Sequence, residues 1–384
     1  MEFLLLADFV KNDTILSITL QMPLQCGSAS MIIEETAVSI YQSKVAQRGI
    51  GLLALLLLTA CATTPAAAPT AAPAVAGTAA PATELVTIKT GFIPVVIYAP
   101  LYVGIERGYF AAEGLNIELT PIVSGNEAVV QLAAGNFDVS MGGANAGLFN
   151  AAARGVTFSV VAPLHTERPP ITSPLVISAK RTDEFKTIAD LKGKKVAVNA
   201  IGTATEYWVN QALATAGLTM ADIEIVGLPF ADIPGALEGG SIDAAILTDP
   251  GATINIQRGV VSLLANDFID GFTATYVYMN EGMLARPEVA QAFMRGYLRA
   301  CRDLQGAFTP ETAAIIEKYT KVPAAVVQTS FRPYYSPDGT VPVENLTTLQ
   351  QYFRSRGLLT YEADLDVTTF VNTQVAQEAA AALK

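Results

Sequence analysis

From Leu85 onward the sequence predicts an α/β fold, and two features carry that prediction. Apolar runs of strand length alternate with segments of helical periodicity. Glycines (Gly108, Gly114, Gly135, Gly193 and Gly239) fall where a helix should end or a turn reverse, positions that favour φ > 0. No internal repeat is visible.

The elements follow in order. Strands are expected at Val86–Phe92, Ile117–Pro121, Val139–Met141, Phe158–Pro163, Leu175–Ala179, Lys195–Asn199, Ile223–Gly227 and Ala244–Thr248. Helices are expected between them, at Tyr98–Arg107, Ala128–Ala134, Gly147–Arg154, Thr205–Ala216 and Pro234–Gly239. A longer one over Pro287–Leu304 places Val289, Phe293, Tyr297, Cys301 and Leu304 on one face, with a proline at its first position, where no hydrogen-bonded N–H is lost.

Composition narrows the function. A chain of 384 residues is long enough for two domains with their own cores. Its net charge of −11 argues against a nucleic-acid partner, because phosphate binding needs a basic surface. Of the three cysteines, Cys26, Cys61 and Cys301, only Cys301 lies in the globular part, where it reads as a buried thiol. With His165 as the one histidine, a His/Cys metal site is not expected, nor is a resident cofactor.

The N-terminal part reads as an address. Ile50–Ala60 is an apolar run too short to span a bilayer, preceded by Lys44 and Arg48, which fits a secretory signal over residues 44–60. It ends in Leu58-Thr59-Ala60-Cys61, which resembles the lipobox of bacterial lipoproteins and implies lipidation of Cys61. Residues 1–43 precede the basic residues at which such a signal normally begins, and are expected to be a gene-model extension. Residues 61–84, rich in Ala, Pro and Thr, have no apolar periodicity and read as a tether.

An ordered set of motifs covers residues 85 to 384. It begins with Phe92-Ile93-Pro94, Tyr98-Ala99-Pro100-Leu101-Tyr102-Val103 and Glu106-Arg107-Gly108-Tyr109-Phe110, closed by Glu113-Gly114-Leu115. It continues through Gly135-Asn136-Phe137-Asp138-Val139, Gly142-Gly143-Ala144-Asn145, Asp190-Leu191-Lys192-Gly193-Lys194, Gly239-Gly240-Ser241-Ile242-Asp243-Ala244 and Asp249-Pro250. The set resembles the NMT1/THI5-like solute-binding family. The resemblance implies a periplasmic-binding-protein-like fold of type II, with two α/β lobes joined by two crossing strands. Residues 85–178 and 275–384 would form the first lobe and 179–274 the second, with crossings near Ser178–Lys180 and Thr273–Thr275. It further implies the solute-binding subunit of an ABC importer: a monomer held to the outer membrane face by its lipid, passing a small molecule to a permease driven by a cytoplasmic ATPase.

In such a fold the solute lies at the carboxyl ends of the strands. The loops to inspect are 92–99, 123–127, 142–148, 163–171, 200–208, 228–234 and 248–252. Their aromatic and acidic balance favours a flat heterocycle, held by ring stacking and by carboxylates that accept from its N–H groups. The candidate contacts are Phe92, Tyr98, Asn145, His165, Glu206, Tyr207, Trp208, Asp249 and, near the return crossing, Tyr276. Riboflavin is the favoured solute, since the chain looks most like the lipoprotein riboflavin binders. A thiamine pyrimidine precursor, or an alkanesulfonate such as taurine, is the alternative.

Catalytic readings fare worse. The pyrimidine-synthesising relatives that the resemblance brings in need a pyridoxal-bearing lysine, a histidine and a cysteine-rich stretch, and the chain has no cysteine cluster. A serine hydrolase would show a G-x-S-x-G elbow or a plausible triad, and neither is present; a two-carboxylate glycosidase needs no such motif, but nothing in the fold reading supports one.

Overall fold

The computed structural model describes residues 84–383, so the expected extension, the signal, Cys61 and nearly all of the tether lie outside the described residues. Ten strands form two five-stranded sheets. They are β1 (Val86–Phe92), β2 (Leu115–Pro121), β3 (Val139–Gly143), β4 (Phe158–Glu167), β5 (Leu175–Ser178), β6 (Lys195–Val198), β7 (Glu224–Gly227), β8 (Ala244–Ile246), β9 (Val261–Ala265) and β10 (Phe272–Asn280). The first sheet runs β2-β1-β3-β10-β4 and the second β7-β6-β8-β5-β9.

Three strands of each sheet are parallel, β1 with β2 and β3, and β6 with β7 and β8. β10 runs antiparallel between β3 and β4, and β5 antiparallel between β8 and β9. Helices connect the parallel strands, as crossover geometry requires. The chain is thus a two-lobed α/β protein with the same strand order in each lobe.

The crossings differ from the expected ones. Leu175–Ser178, expected to close the first lobe, is a fully buried strand of the second sheet. The first crossing is therefore the stretch after Glu167, which contains Pro169, Pro170 and Pro174; prolines supply no N–H to a ladder. The return crossing likewise falls before Phe272, not at Thr273–Thr275, which already belong to β10. The two crossings bond to each other, Ile171 N–H to the Asn266 carbonyl at 2.8 Å and Gly271 N–H to the Glu167 carbonyl at 2.9 Å. One glycine also shifts: Gly240, with φ 74°, makes the turn expected of Gly239.

Packing gives each lobe its own core and joins them behind the cleft. The first core buries Phe293, Tyr297 and Cys301 of helix Pro287–Asp303, which packs on helices Ala99–Glu106, Tyr109–Ala112 and Gln374–Ala382, matching the expected apolar face. A second core mixes residues of both lobes, including Leu175, Trp208, Tyr276 and Phe353. Helix Val343–Ser355, in the stretch expected to belong to the first lobe, reaches the second through Tyr352, whose hydroxyl lies against Glu206. Among the described residues no helix is long and apolar enough to cross a membrane.

Candidate functional site

In each sheet the order reverses about its second strand, β1 between β2 and β3 and β6 between β7 and β8. Crevices open beyond the carboxyl ends of strands at such switch points. Here both crevices face the same cavity. Its walls include Ile93 after β1, Gly142 and Gly143 ending β3, Asn199 after β6 and Thr248 after β8.

This throat has a volume of about 40 Å³. Tyr98, Trp208 and Phe230 give it aromatic walls; Ser173, Thr203, Thr205, Thr248 and Thr275 give it hydroxyls. No lysine, arginine, aspartate or glutamate lines it, and His165 is its one titratable ring besides Tyr98. Two helices begin at its wall, Gly125–Ala133 from the first lobe and Ala204–Thr215 from the second. Their N-terminal ends direct partial positive charge and unbonded N–H groups toward it. A larger pocket of about 470 Å³ adjoins the throat and shares Ile93, Val95, Phe230 and Thr248 with it. Its other walls, among them Ile122, Val123, Pro229, Leu247, Ile254 and Val322, are mainly apolar.

Of the nine residues expected at the site, the structure brings three to the throat: Tyr98, His165 and Trp208. Tyr98 is fully buried, its hydroxyl donating to the Met141 carbonyl at 2.8 Å, and burial pushes the phenol pKa up, so it stays neutral. Trp208 is 1% exposed, in the first turns of helix Ala204–Thr215. His165 pairs through Nδ1 with Thr275 Oγ1 at 2.5 Å. Its Nε2 lies 3.4 Å from Glu167 Oε1, without hydrogen-bond geometry.

The other six have different work. Phe92 packs edge-on against Tyr102 and Tyr319 in the first core. Asn145 caps helix Ala146–Ala153, its Oδ1 accepting from Leu148 N–H at 2.9 Å while Nδ2 donates to the Gly143 carbonyl. Glu206 is fully buried, accepting from Gly202 N–H, Tyr352 and Arg356 Nε, the last at 2.8 Å. Tyr207 packs between Phe272 and Tyr352. Tyr276 turns its hydroxyl back to the Thr273 carbonyl at 2.9 Å. Asp249 accepts from Thr253 and from Phe331 N–H, tying the second lobe to the C-terminal segment.

Asn145, Glu206 and Asp249 share one physical reason, while the three aromatics are held by core packing. A buried carboxylate or amide must be satisfied by the protein itself, and caps and ion pairs took these groups. The expected loops do supply most of the throat, with Gly142 and Gly143 of the Gly142-Gly143-Ala144-Asn145 motif among its walls, but also through small residues that the aromatic and acidic count did not flag: Gly125, Thr203, Thr205 and Thr248. Ser173, Asn199 and Thr275 lie outside those loops. The signal that marks Asn199 and Thr205 is positional, a strand end followed by a helix N-terminus. Among the described residues no group of three or more His, Cys, Asp and Glu side chains is placed to hold a metal ion.

Two α/β lobes, hydrogen-bonded crossings and a cavity at paired switch points define a two-lobed binding protein. Residues 81–319 match the NMT1-like family model, and the chain belongs to that family. It is 29% identical over 272 residues to the riboflavin-binding protein RibY of Chloroflexus aurantiacus, covering 66% of this chain and 72% of that one. It is 25% identical over 279 residues to the 4-amino-5-hydroxymethyl-2-methylpyrimidine phosphate synthase of Aspergillus parasiticus, covering 67% and 78%. Among solved structures it resembles the alkanesulfonate-binding protein SsuA of Xanthomonas axonopodis pv. citri. The TM-score is 0.63 at 21% identity, covering 76% of this chain and 99% of that one.

Proposed function

We propose that the protein is the extracytoplasmic solute-binding subunit of an ABC importer and that its solute is a planar vitamin-type heterocycle, riboflavin first among them. The lipid anchor at Cys61, the outer membrane face and the permease partner belong to the same proposal.

One observation carries the solute class. The throat is aromatic-walled and free of charged side chains, and it continues into an apolar pocket large enough for a fused ring system. A flavin has an acceptor-rich dione edge and an apolar dimethylbenzene end, matching the two parts. The throat alone, at about 40 Å³, takes only a compact head group, so riboflavin would have to occupy both spaces. The likeness to RibY supports the same choice.

A second reading has its own observation. Two helix N-termini at one cavity also suit a sulfonate, with the organic tail in the apolar pocket. An enzyme is disfavoured despite the synthase relative, because neither lysine nor cysteine lines the throat to carry a pyridoxal cofactor or a nucleophile.

The test is a titration with riboflavin, the hydroxymethylpyrimidine, thiamine and taurine, followed by Trp208 emission and calorimetry. Saturable quenching by riboflavin is expected. A response to taurine or the pyrimidine alone would replace the solute and leave the importer reading standing. Turnover of the pyrimidine precursors by the purified chain would overturn the binding-protein reading.

A further inference from the structure

Asn199 follows β6 at the second lobe's switch point, lines the throat and is 9% exposed. The side-chain amide of Asn199 turns its oxygen to two hydroxyls. Thr205 Oγ1 donates to Asn199 Oδ1 at 2.7 Å, and Thr203 Oγ1 lies 3.3 Å from the same oxygen. The Thr203 proton goes to the Ala200 carbonyl at 2.7 Å, so Thr205 is the donor that satisfies Oδ1. The oxygen of Asn199 is the satisfied end. Its Nδ2 has no partner among the described residues, yet is not sealed in the protein, and is left to the cavity.

The adjacent helix end points the same way. Thr203, at the N-cap, makes no side-chain cap bond to helix Ala204–Thr215. The N–H groups of Ala204 and Thr205 donate to no described residue, and both residues line the throat. A side-chain amide and a twelve-residue helix thus place donors at one wall with no protein acceptor opposite. An unfilled buried donor is costly, so the arrangement persists because something else accepts there.

We infer that Asn199, with the Ala204 and Thr205 N–H groups, is the second lobe's donor site for a compact hydrogen-bond-acceptor head on the solute. The head is either a cyclic dione or imide edge or a sulfonate, which share this acceptor chemistry. The inference rests on the binding-protein reading and deepens it by assigning the polarity of one wall. A solute presenting only N–H groups to that wall is rejected, since donor would face donor.

The first experiment uses two bare head groups, uracil and methanesulfonate, at millimolar concentration on the isotopically labelled protein. The side-chain amide pair of Asn199 is identified by NMR as the pair missing from Asn199→Asp. A shift of that pair with uracil supports a dione head, and a shift with methanesulfonate supports a sulfonate head. If neither moves it, the donor site is overturned, whatever riboflavin does. If a head group moves it while riboflavin leaves both protein and flavin signals unchanged, the flavin reading falls and the donor site stands.

The second experiment measures affinity for whichever solute of the panel binds. Asn199→Ala should weaken binding about tenfold and Asn199→Asp about a hundredfold or more, because it sets a carboxylate against an acceptor. The melting temperature of Asn199→Asp should stay close to wild type, since Asp retains the acceptor oxygen for Thr205, while Asn199→Ala removes that acceptor and should melt somewhat lower. Wild-type affinity in both variants would overturn the inference.

Discussion

Asp249 is a carboxyl group at a junction of four segments. Its side chain accepts from Thr253 and Phe331, its N–H donates to the Thr172 carbonyl, and its own carbonyl accepts from Val96 N–H. Burial pushes its pKa from 3.8 up to about 7, against the donors around it and helped by the nearby Glu167 charge. The folded state therefore holds a proton that the unfolded chain releases at lower pH. The resulting stabilisation is complete below the unfolded value and is lost as pH rises toward about 7. Glu167 acts in the opposite sense: burial raises its pKa, but His165 and the Thr172 donors outweigh burial and leave it depressed. Its contribution is present above the ordinary carboxylate range and is lost as pH falls through the depressed value. Wild-type melting temperature should accordingly fall between mildly acid and mildly alkaline pH, and Asp249→Asn should flatten that fall; an unchanged slope in the variant would assign it elsewhere. Glu206 supplies a second test. Glu206→Gln should cost about 3 kcal/mol in denaturant unfolding, because it strips a buried pair from Arg356. Solute affinity should fall far less than with Asn199→Asp, since Glu206 does not line the throat. The sequence marked the loops of the site better than its residues. Charge pointed to Glu206 and Asp249, and a short strand-to-helix turn to Asn145, and those are the groups a fold spends on its own caps and ion pairs.

At the scale of elements, the alternation of apolar runs and helical periods marked eight of the ten strands, including β2 and β7, whose residues are mostly half-buried or exposed. β9 and β10 were missed for different reasons. β9 is only partly buried and follows a helix closely, with Val261 its one fully buried residue. β10 was read as a crossing, although seven consecutive residues, Thr273–Met279, are buried between two neighbours. Thr273, Thr275 and the two tyrosines disguise that run as polar. The long helix Pro287–Asp303 was legible because its apolar residues recur at helical spacing over 17 residues. One close fit within it was not. The Phe110 ring is wedged between two glycines, and a Cβ on Gly104 or Gly296 would meet it at 2.5 Å or 2.7 Å. Phe110 is 1% exposed and cannot swing into solvent without losing its core contacts. Gly296→Ala should therefore destabilise the protein by about 1–3 kcal/mol despite the helix propensity of alanine. An equilibrium denaturation curve unchanged in midpoint would show that the ring has room.

At the scale of the molecule, the lobes touch at Gly143 and Ala204, where a Cβ on the glycine would lie 2.9 Å from the alanine methyl. That contact belongs to a closed cleft. Gly143→Val should hold the lobes apart, leaving the small-angle scattering profile unaltered at saturating solute and lowering affinity by about tenfold or more. A variant that still contracts on binding would place the closing contact elsewhere. The sheet orders have a further consequence. In the first sheet the place between β3 and β4 is taken by β10, which follows the whole second lobe in sequence. A ribosome that has just finished β4 has made a strand whose sheet partner begins at Phe272, more than a hundred residues of synthesis away. The first lobe is thus left with an open seam while the whole second lobe is made, and is sealed only by the last described strand. A chain built this way cannot lock its first lobe before its second has been made.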